Sequence, residues 1–324
     1  MSAVAPGGRS VRPSPERDGW PAEPLPAWQD TLQTLHRWTQ IVGKTRLALA
    51  PMQNHWWQVT LYVTARGLGT SPMPYQGRSA ELEFDFIDHR LALRVDDGIT
   101  RSMPLAPMTV AAFYREFQEL LRSCAMDVPI WPRPVELPDA TPFPSDTAHA
   151  SYDAAAVEHF WRALVQADRV FKEFRGRFIG KCSPVHFWWG AFDVACTRFS
   201  GRPGPKHTGG IPNCPDWVMW EAYSHECFSA GWWPGGGGPN ESAFYAYAYP
   251  EPRGLSEAPI RPAGARYDQT LREFILPYEK VRTSQRPDAV LLDFLQSTYA
   301  AAAQLGSWDR ASLERREAGE ATKG

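Results

Sequence analysis

The sequence predicts an α+β protein: a mostly antiparallel sheet built from two pseudo-symmetric helix–strand–hairpin–helix halves, with helices on one face. Three observations lead there. Two helical apolar stripes each run into a Gly-Lys pair. Each pair is followed by an aromatic segment with a double Trp, Asn54-His55-Trp56-Trp57 and His186-Phe187-Trp188-Trp189. An Arg then lies nine residues beyond the second Trp in both copies, at Arg66 and Arg198. The agreement of stop, aromatic pair and Arg offset argues for an internal duplication that sets Trp57 on Trp189 and Arg66 on Arg198.

The elements follow in order. Residues 1–26 are rich in Gly, Pro, Arg and Ser and read as a disordered leader. The first repeat half spans 27–128. Trp28, Leu32, Leu35, Thr39 and Val42 form one helical face over 27–42, with Gly43 as a stop. A strand over QVTLYVTAR follows, then a hairpin over 79–95 and a helix over 109–124 carrying Val110, Phe113, Phe117, Leu120 and Cys124 on one stripe. Residues 129–149 form a Pro-rich, stiff linker. The second half spans 150–310. A helix covers 154–179 behind Asp153 as N-cap, a strand covers GAFDVACTR, and a hairpin pairs HECFSAGWW with SAFYAYAY through a Gly-rich turn. A helix over 288–305 closes it, stopped by Gly306, and 311–324 is a charged tail.

Composition excludes several classes. The 324 residues carry a net charge of −2, which gives no basic footprint for nucleic acid, and no apolar run is long enough to span a membrane. No secretory h-region precedes the fold, so the expected location is cytoplasmic. Five Cys with no CxxC spacing read as reduced thiols and supply no metal site. No cofactor motif is present: GxGxxG, GxSxG and Walker patterns are all missing. Oligomeric state is open.

The candidate site comes from comparing the two strands face by face. The first offers Trp57, Val59, Leu61 and Val63; the aligned second face offers Trp189, Ala191, Asp193 and Ala195. Smaller side chains leave space, and a carboxylate on an apolar strand must find a partner or stay protonated. The expectation is therefore a pocket against the second-half sheet, with Asp193 on its wall unless Tyr245 or Trp232 moves in. Aromatic rings of Trp188, Trp189, Trp232, Tyr245 and Tyr247, with Glu226, are its candidate lining. Arg198 and Arg202 are candidate anion contacts. His186 and His225 join Asp193 as candidate acid–base groups. His225-Glu226 is not a zinc motif, because Cys-Phe-Ser follows and HExxH fails; Cys227 near His225 is a poor candidate for a thiol nucleophile.

The stretches GKCSPVHFWWGAFDVACTRFSGRPGP, EAYSHECFSAGWWPGG, AFYAYAYPEP and LLDFLQSTYAAAAQLGSWDR resemble a bacterial family of unknown function over about residues 25–315. The resemblance implies a stand-alone bacterial protein and brings no activity, cofactor or catalytic residue. The leading expectation is a small-molecule-binding protein with an aromatic, carboxylate-bearing pocket in the second half. The alternatives are an enzyme using the same cleft, and an interaction module whose Trp residues are all core.

Overall fold

A computed structural model describes residues 19–22, 25–235 and 241–315. The chain starts with α1 (Leu25–Leu49), then runs through β1 (Tyr62–Val63), β2 (Gly67–Gly69), β3 (Met73–Tyr75), β4 (Arg78–Asp85), β5 (Arg90–Val95) and β6 (Thr100–Pro104) into α2 (Val110–Ser123). After an irregular stretch come α3 (Ala154–Gly176), β7 (His186–Trp188), β8 (Asp193–Pro203), α4 (Asp216–Ala222), β9 (His225–Trp233) and β10 (Ala243–Tyr249). The rest is β11 (Arg266–Asp268), β12 (Glu273–Pro277), α5 (Tyr278–Arg282), α6 (Pro287–Leu305) and α7 (Arg310–Leu313).

The strands form two antiparallel six-stranded sheets, not one. The first has order β1-β2-β4-β5-β6, with β3 also on β4; the second has order β11-β12-β10-β9-β8-β7. A pair of backbone hydrogen bonds between Leu61 and Phe187, at 2.9 and 2.8 Å, joins the start of one sheet to the start of the other. Buried apolar side chains from α1 to α6 make one continuous core across both halves. The α+β class with antiparallel sheets is thus observed.

Both halves run helix, antiparallel strands, helix, but the residue alignment predicted for them is not kept. Trp57 precedes β1, following a short 3-10 turn at Asn54–Trp56, whereas Trp189 follows β7. Arg66 lies in the turn before β2, whereas Arg198 lies inside β8. The predicted strand over QVTLYVTAR shrinks to Tyr62–Val63. Positive φ at His55 and Trp56 (56° and 61°) bends that segment out of strand geometry.

Gly43 does not stop α1, which continues to Leu49. Its missing side chain serves packing instead: a Cβ there would overlap the Trp189 indole. Trp189 in turn donates Nε1–H to the Val59 carbonyl at 2.6 Å. α3 ends at Gly176, ahead of Gly180-Lys181. The predicted leader lies mostly outside the described residues, but Trp20 within it is buried against Phe244 and Tyr278 and donates to Asp288. The Gly-rich turn after β9 lies outside the described residues from 236 to 240.

The hairpins β4–β5 and β9–β10 and the helices α2 and α6 fall where the sequence puts them. The N-cap of α2 is Thr109, whose side chain accepts from the Ala112 amide at 3.1 Å. Thr109→Ala removes that acceptor from the first turn and is expected to cost about 1 kcal/mol in chemical denaturation.

Candidate functional site

β8 separates two environments because strand side chains alternate. Val194, Cys196 and Arg198 face the helices α3 and α6, while Asp193, Ala195, Thr197 and Phe199 face the other way. On β9, Phe228, Ala230 and Trp232 join the helix side; Cys227, Ser229, Gly231 and Trp233 join Asp193. On β10, Tyr245, Tyr247 and Tyr249 share the Asp193 face, as do Ile275 and Glu273 on β12 and His186 and Trp188 on β7. Ala195, Ala243, Tyr245 and Ile275 make a small apolar cluster there, with Trp188, Trp233, Tyr247 and Leu271 half-buried around it.

The ring that moves in is Tyr245. It lies over Gly231, where a Cβ would overlap it, and stacks on Trp233 with ring centroids 4.3 Å apart. Its hydroxyl donates to Asp193 Oδ2, and Asp193 Oδ1 is buried with no partner. The Tyr247 and Tyr223 hydroxyls pair at 2.7 Å.

Three segments outside the sheet complete the surroundings. Lys44 on α1 is buried, and its ammonium sits 5.5 Å from the Trp189 ring. Gln40, one turn earlier, clamps the Pro-rich stretch: its amide both accepts from and donates to the Val135 backbone at 2.8 Å. The next residue, Glu136, adopts a φ of 61° and donates its N–H to Pro212 at 2.8 Å. Its carboxylate lies against Gly190, leaving no room for a side chain there. Asn213 closes the arrangement by donating to the Leu137 carbonyl at 2.6 Å.

The electrostatics follow from burial among these groups. Desolvation pushes Asp193 up to about 7, with the Glu136 charge adding to it and the Tyr245 hydrogen bond opposing it. Desolvation likewise lifts Glu136 to about 7, against the pull of Lys44. Glu273 is raised to about 8 by desolvation and by the Asp193 charge, and its Oε2 is buried without a partner. Desolvation lowers Lys44 to about 8, with Cys214 and Glu136 favouring its charged form. The charge of Asp193 is thus felt by Glu273, that of Glu136 by Asp193, and Glu136 and Lys44 feel each other, with all four groups shifted toward neutrality.

Of the residues singled out from the sequence, Asp193, His186, Trp188, Tyr245 and Tyr247 share this face. Burial, aided by the Arg46 and Arg175 charges, pushes His186 down to about 3, so it takes up no proton at neutral pH. The others lie elsewhere. Trp189 and Ala191 sit in the β7–β8 turn and do not extend the Asp193 face. Trp232 is core on the helix side, stacked on Phe160 at 5.9 Å. Arg198 is on that side as well, five residues from Asp193 and hence on the opposite face. Glu226 pairs with Arg202 at 2.6 Å, and Arg202 also donates to the Gly306 and Ser307 carbonyls at the end of α6. His225 is eight residues from Trp233 along β9, about 26 Å from the Asp193 end at the usual strand rise. It lies instead against the His55 ring, with centroids 5.7 Å apart. Cys227 is buried and its thiol is pushed up to about 12, which removes it as a nucleophile at neutral pH.

Lys44, Glu136, Glu273 and Tyr223 were not among the sequence candidates. Glu273 alone carried a usable signal: it opens the apolar run Phe274-Ile275-Leu276, the same pattern that exposed Asp193. Among the described residues, no His, Cys, Asp and Glu cluster is placed to hold a metal ion. The five cysteines are free. No described helix is long and apolar enough to cross a membrane.

The chain belongs to a family of unknown function, DUF5996, whose match covers residues 20–315. No curated protein and no solved structure matches it.

Proposed function

We propose that the protein binds a small organic cation with an apolar body at the Asp193 face of the second sheet. One observation carries this reading: among the described residues, Asp193 Oδ1 and Glu273 Oε2 are buried carboxylate oxygens with no donor, on one aromatic face. Buried polar atoms are ordinarily satisfied, so an orphaned pair marks a place for a ligand's donors. An ammonium supplies donors and charge together, and the Trp188, Trp233, Tyr245 and Tyr247 rings suit a cation or an aryl group. Trp188, Tyr247 and Leu271 are half-buried around this face, and they are the side chains a ligand would have to pass.

The test uses 2-phenylethylammonium against its neutral counterpart 2-phenylethanol in isothermal titration calorimetry. The cation is expected to bind and the alcohol is not. Because Asp193, Glu136 and Glu273 lie at about 7 to 8 when empty, cation binding at pH 6.5 should release protons. Buffers of different ionisation enthalpy read that release, which should shrink at pH 8.5. Asp193→Asn should weaken binding by roughly tenfold or more, the loss of one charge-assisted hydrogen bond. Equal binding of the alcohol, or no proton release at pH 6.5, sinks the reading.

A second reading, proton transfer at the same face, is favoured by two neighbouring carboxyl groups, Asp193 and Glu136, both raised to about 7. Consumption of a bound compound, lost in Glu136→Gln while binding persists, would select it over simple binding.

A further inference from the structure

The opposite face of the second sheet adjoins a cavity of about 1190 Å³, between the end of α3, the C-terminal half of α6, the segment around 254–261 and α7. Its basic lining is Arg177, Arg198, Arg261, Arg310 and Arg315. Three of these are spoken for: Arg177 by Glu173 at 2.6 Å, Arg261 by Asp293 at 2.9 Å and Arg310 by Glu314 at 2.6 Å. Among the described residues, Arg198 and Arg315 have no carboxylate in an ion pair. Arg315 only donates to the Gly176 carbonyl, at 2.9 Å.

Arg198 is the unusual one. Its residue is 1% exposed, yet its guanidinium has only neutral partners. It donates to the Phe174 carbonyl and, at 3.4 Å, to Gln296 Oε1, and its Nε is buried without a partner. The Phe174 and Tyr299 rings hold it, 3.4 and 4.3 Å from its central carbon. Ring faces stabilise the cation but do not neutralise it. A buried charge with no ion pair is costly, and burial brings this group down to about 10 against the pull of neighbouring groups that include the Glu314 carboxylate, still protonated at neutral pH.

We infer that this cavity is a second binding site, for a small organic phosphate monoester, with Arg198 at its floor and Arg315 at its rim. These two guanidinium groups, without an ion pair among the described residues, match the charge of nearly −2 that a phosphate monoester carries at neutral pH. The planar guanidinium fork suits phosphate oxygens. The cavity is far larger than a bare phosphate needs, and Ala258, Ala300, Ala301 and Leu305 give it an apolar wall for an organic body. The site is independent of the Asp193 face, since Arg198 points to the other side of β8.

The experiment is a thermal-shift and calorimetric titration of the full chain with phenyl phosphate, inorganic phosphate and phthalate at constant ionic strength. Phenyl phosphate is expected to raise the melting temperature saturably and to bind more tightly than the other two. Arg315→Gln, an exposed change, should weaken phenyl phosphate binding roughly tenfold through loss of one charge-assisted contact. Arg198→Met should abolish the shift and raise the melting temperature of the ligand-free protein, because it removes a buried charge whose hydrogen-bond partners are neutral. Should Arg198→Met fail to fold, Arg315→Gln decides alone. The proposal is overturned if phenyl phosphate gives no saturable shift, if Arg315→Gln binds it as well as the parent chain, or if inorganic phosphate or phthalate binds equally well.

Discussion

Asp193→Asn should raise the melting temperature, and should raise it more at pH 8 than at pH 5. The reason is the burial of a carboxylate whose Oδ1 has no partner and whose only hydrogen bond comes from Tyr245. In the folded chain this carboxyl titrates at about 7, up from 3.8, so its contribution to stability is full below 3.8 and is lost as pH rises through 7. Above 7 the charged form costs the fold roughly 4 kcal/mol, and between pH 5 and 8 the part still to be lost is roughly 3 kcal/mol. Asn keeps an oxygen for the Tyr245 hydroxyl and cannot ionise. Its advantage should therefore grow by several degrees across that pH range. Melting curves at pH 5, 6.5 and 8 check this. A variant destabilised at every pH would make Asp193 a structural hub whose charge the fold requires, and a pH-independent gain would place its titration outside this window.

Glu136 and Glu273 act in the same direction, since burial raises both. The Asp193→Asn variant should consequently retain a residual loss of stability toward alkaline pH. A ligand cation reverses the sign: once bound, it favours the ionised carboxylates, so the stability lost by the empty site at high pH becomes binding affinity there.

What the sequence could and could not reveal about this site follows from where its residues come from. Asp193 was visible because a lone carboxylate breaks the apolar alternation of a strand, and Tyr245 and Tyr247 because they alternate on one. Those are local patterns, and β8, β9 and β10 are long enough to express them. Glu136 has no such context. It lies in a Pro-rich stretch with no periodicity, and it reaches the site only because Gln40 and Pro212 fix its backbone. Lys44 was hidden by its neighbour: Gly43 looks like a helix stop, and only the Trp189 ring packed against it explains why α1 runs on and buries the lysine. The pairing of Trp57 with Trp189 misled for a related reason. Both are large rings after a helix, but the first lies ahead of its strand and the second behind. A one-dimensional spacing cannot register that β7 starts three residues before Trp189 while β1 starts five after Trp57. Arg198 and Asp193 could be separated from sequence, because five positions along a strand always reverse the face.

Gly231→Ala should destabilise the chain by about 1–3 kcal/mol, the usual cost of forcing extra atoms into a packed place. Gly231 sits in β9 beneath the Tyr245 ring, and an added Cβ would overlap the ring's hydroxyl end. The Trp233 ring stacks on Tyr245 and the Tyr247 ring lies 6.1 Å from it, so the displaced ring has no free direction within the sheet face. It must swing away from Asp193. Asp193 then loses the one side-chain hydrogen bond that favours its ionised form, and its carboxyl climbs further. Because a raised folded value means stability is lost as pH rises through it, the decline in melting temperature should extend to higher pH than in the parent. Tyr245→Phe separates the two effects. It removes the hydroxyl without adding atoms, so it should reproduce the pH behaviour with little of the packing loss. Melting temperatures of the parent, Gly231→Ala and Tyr245→Phe at pH 5, 7 and 9 give the comparison. Parent-like stability in Gly231→Ala at all three would mean that Tyr245 is not seated over that glycine, and the link between the small residues of β9 and the carboxylate of β8 would fail with it.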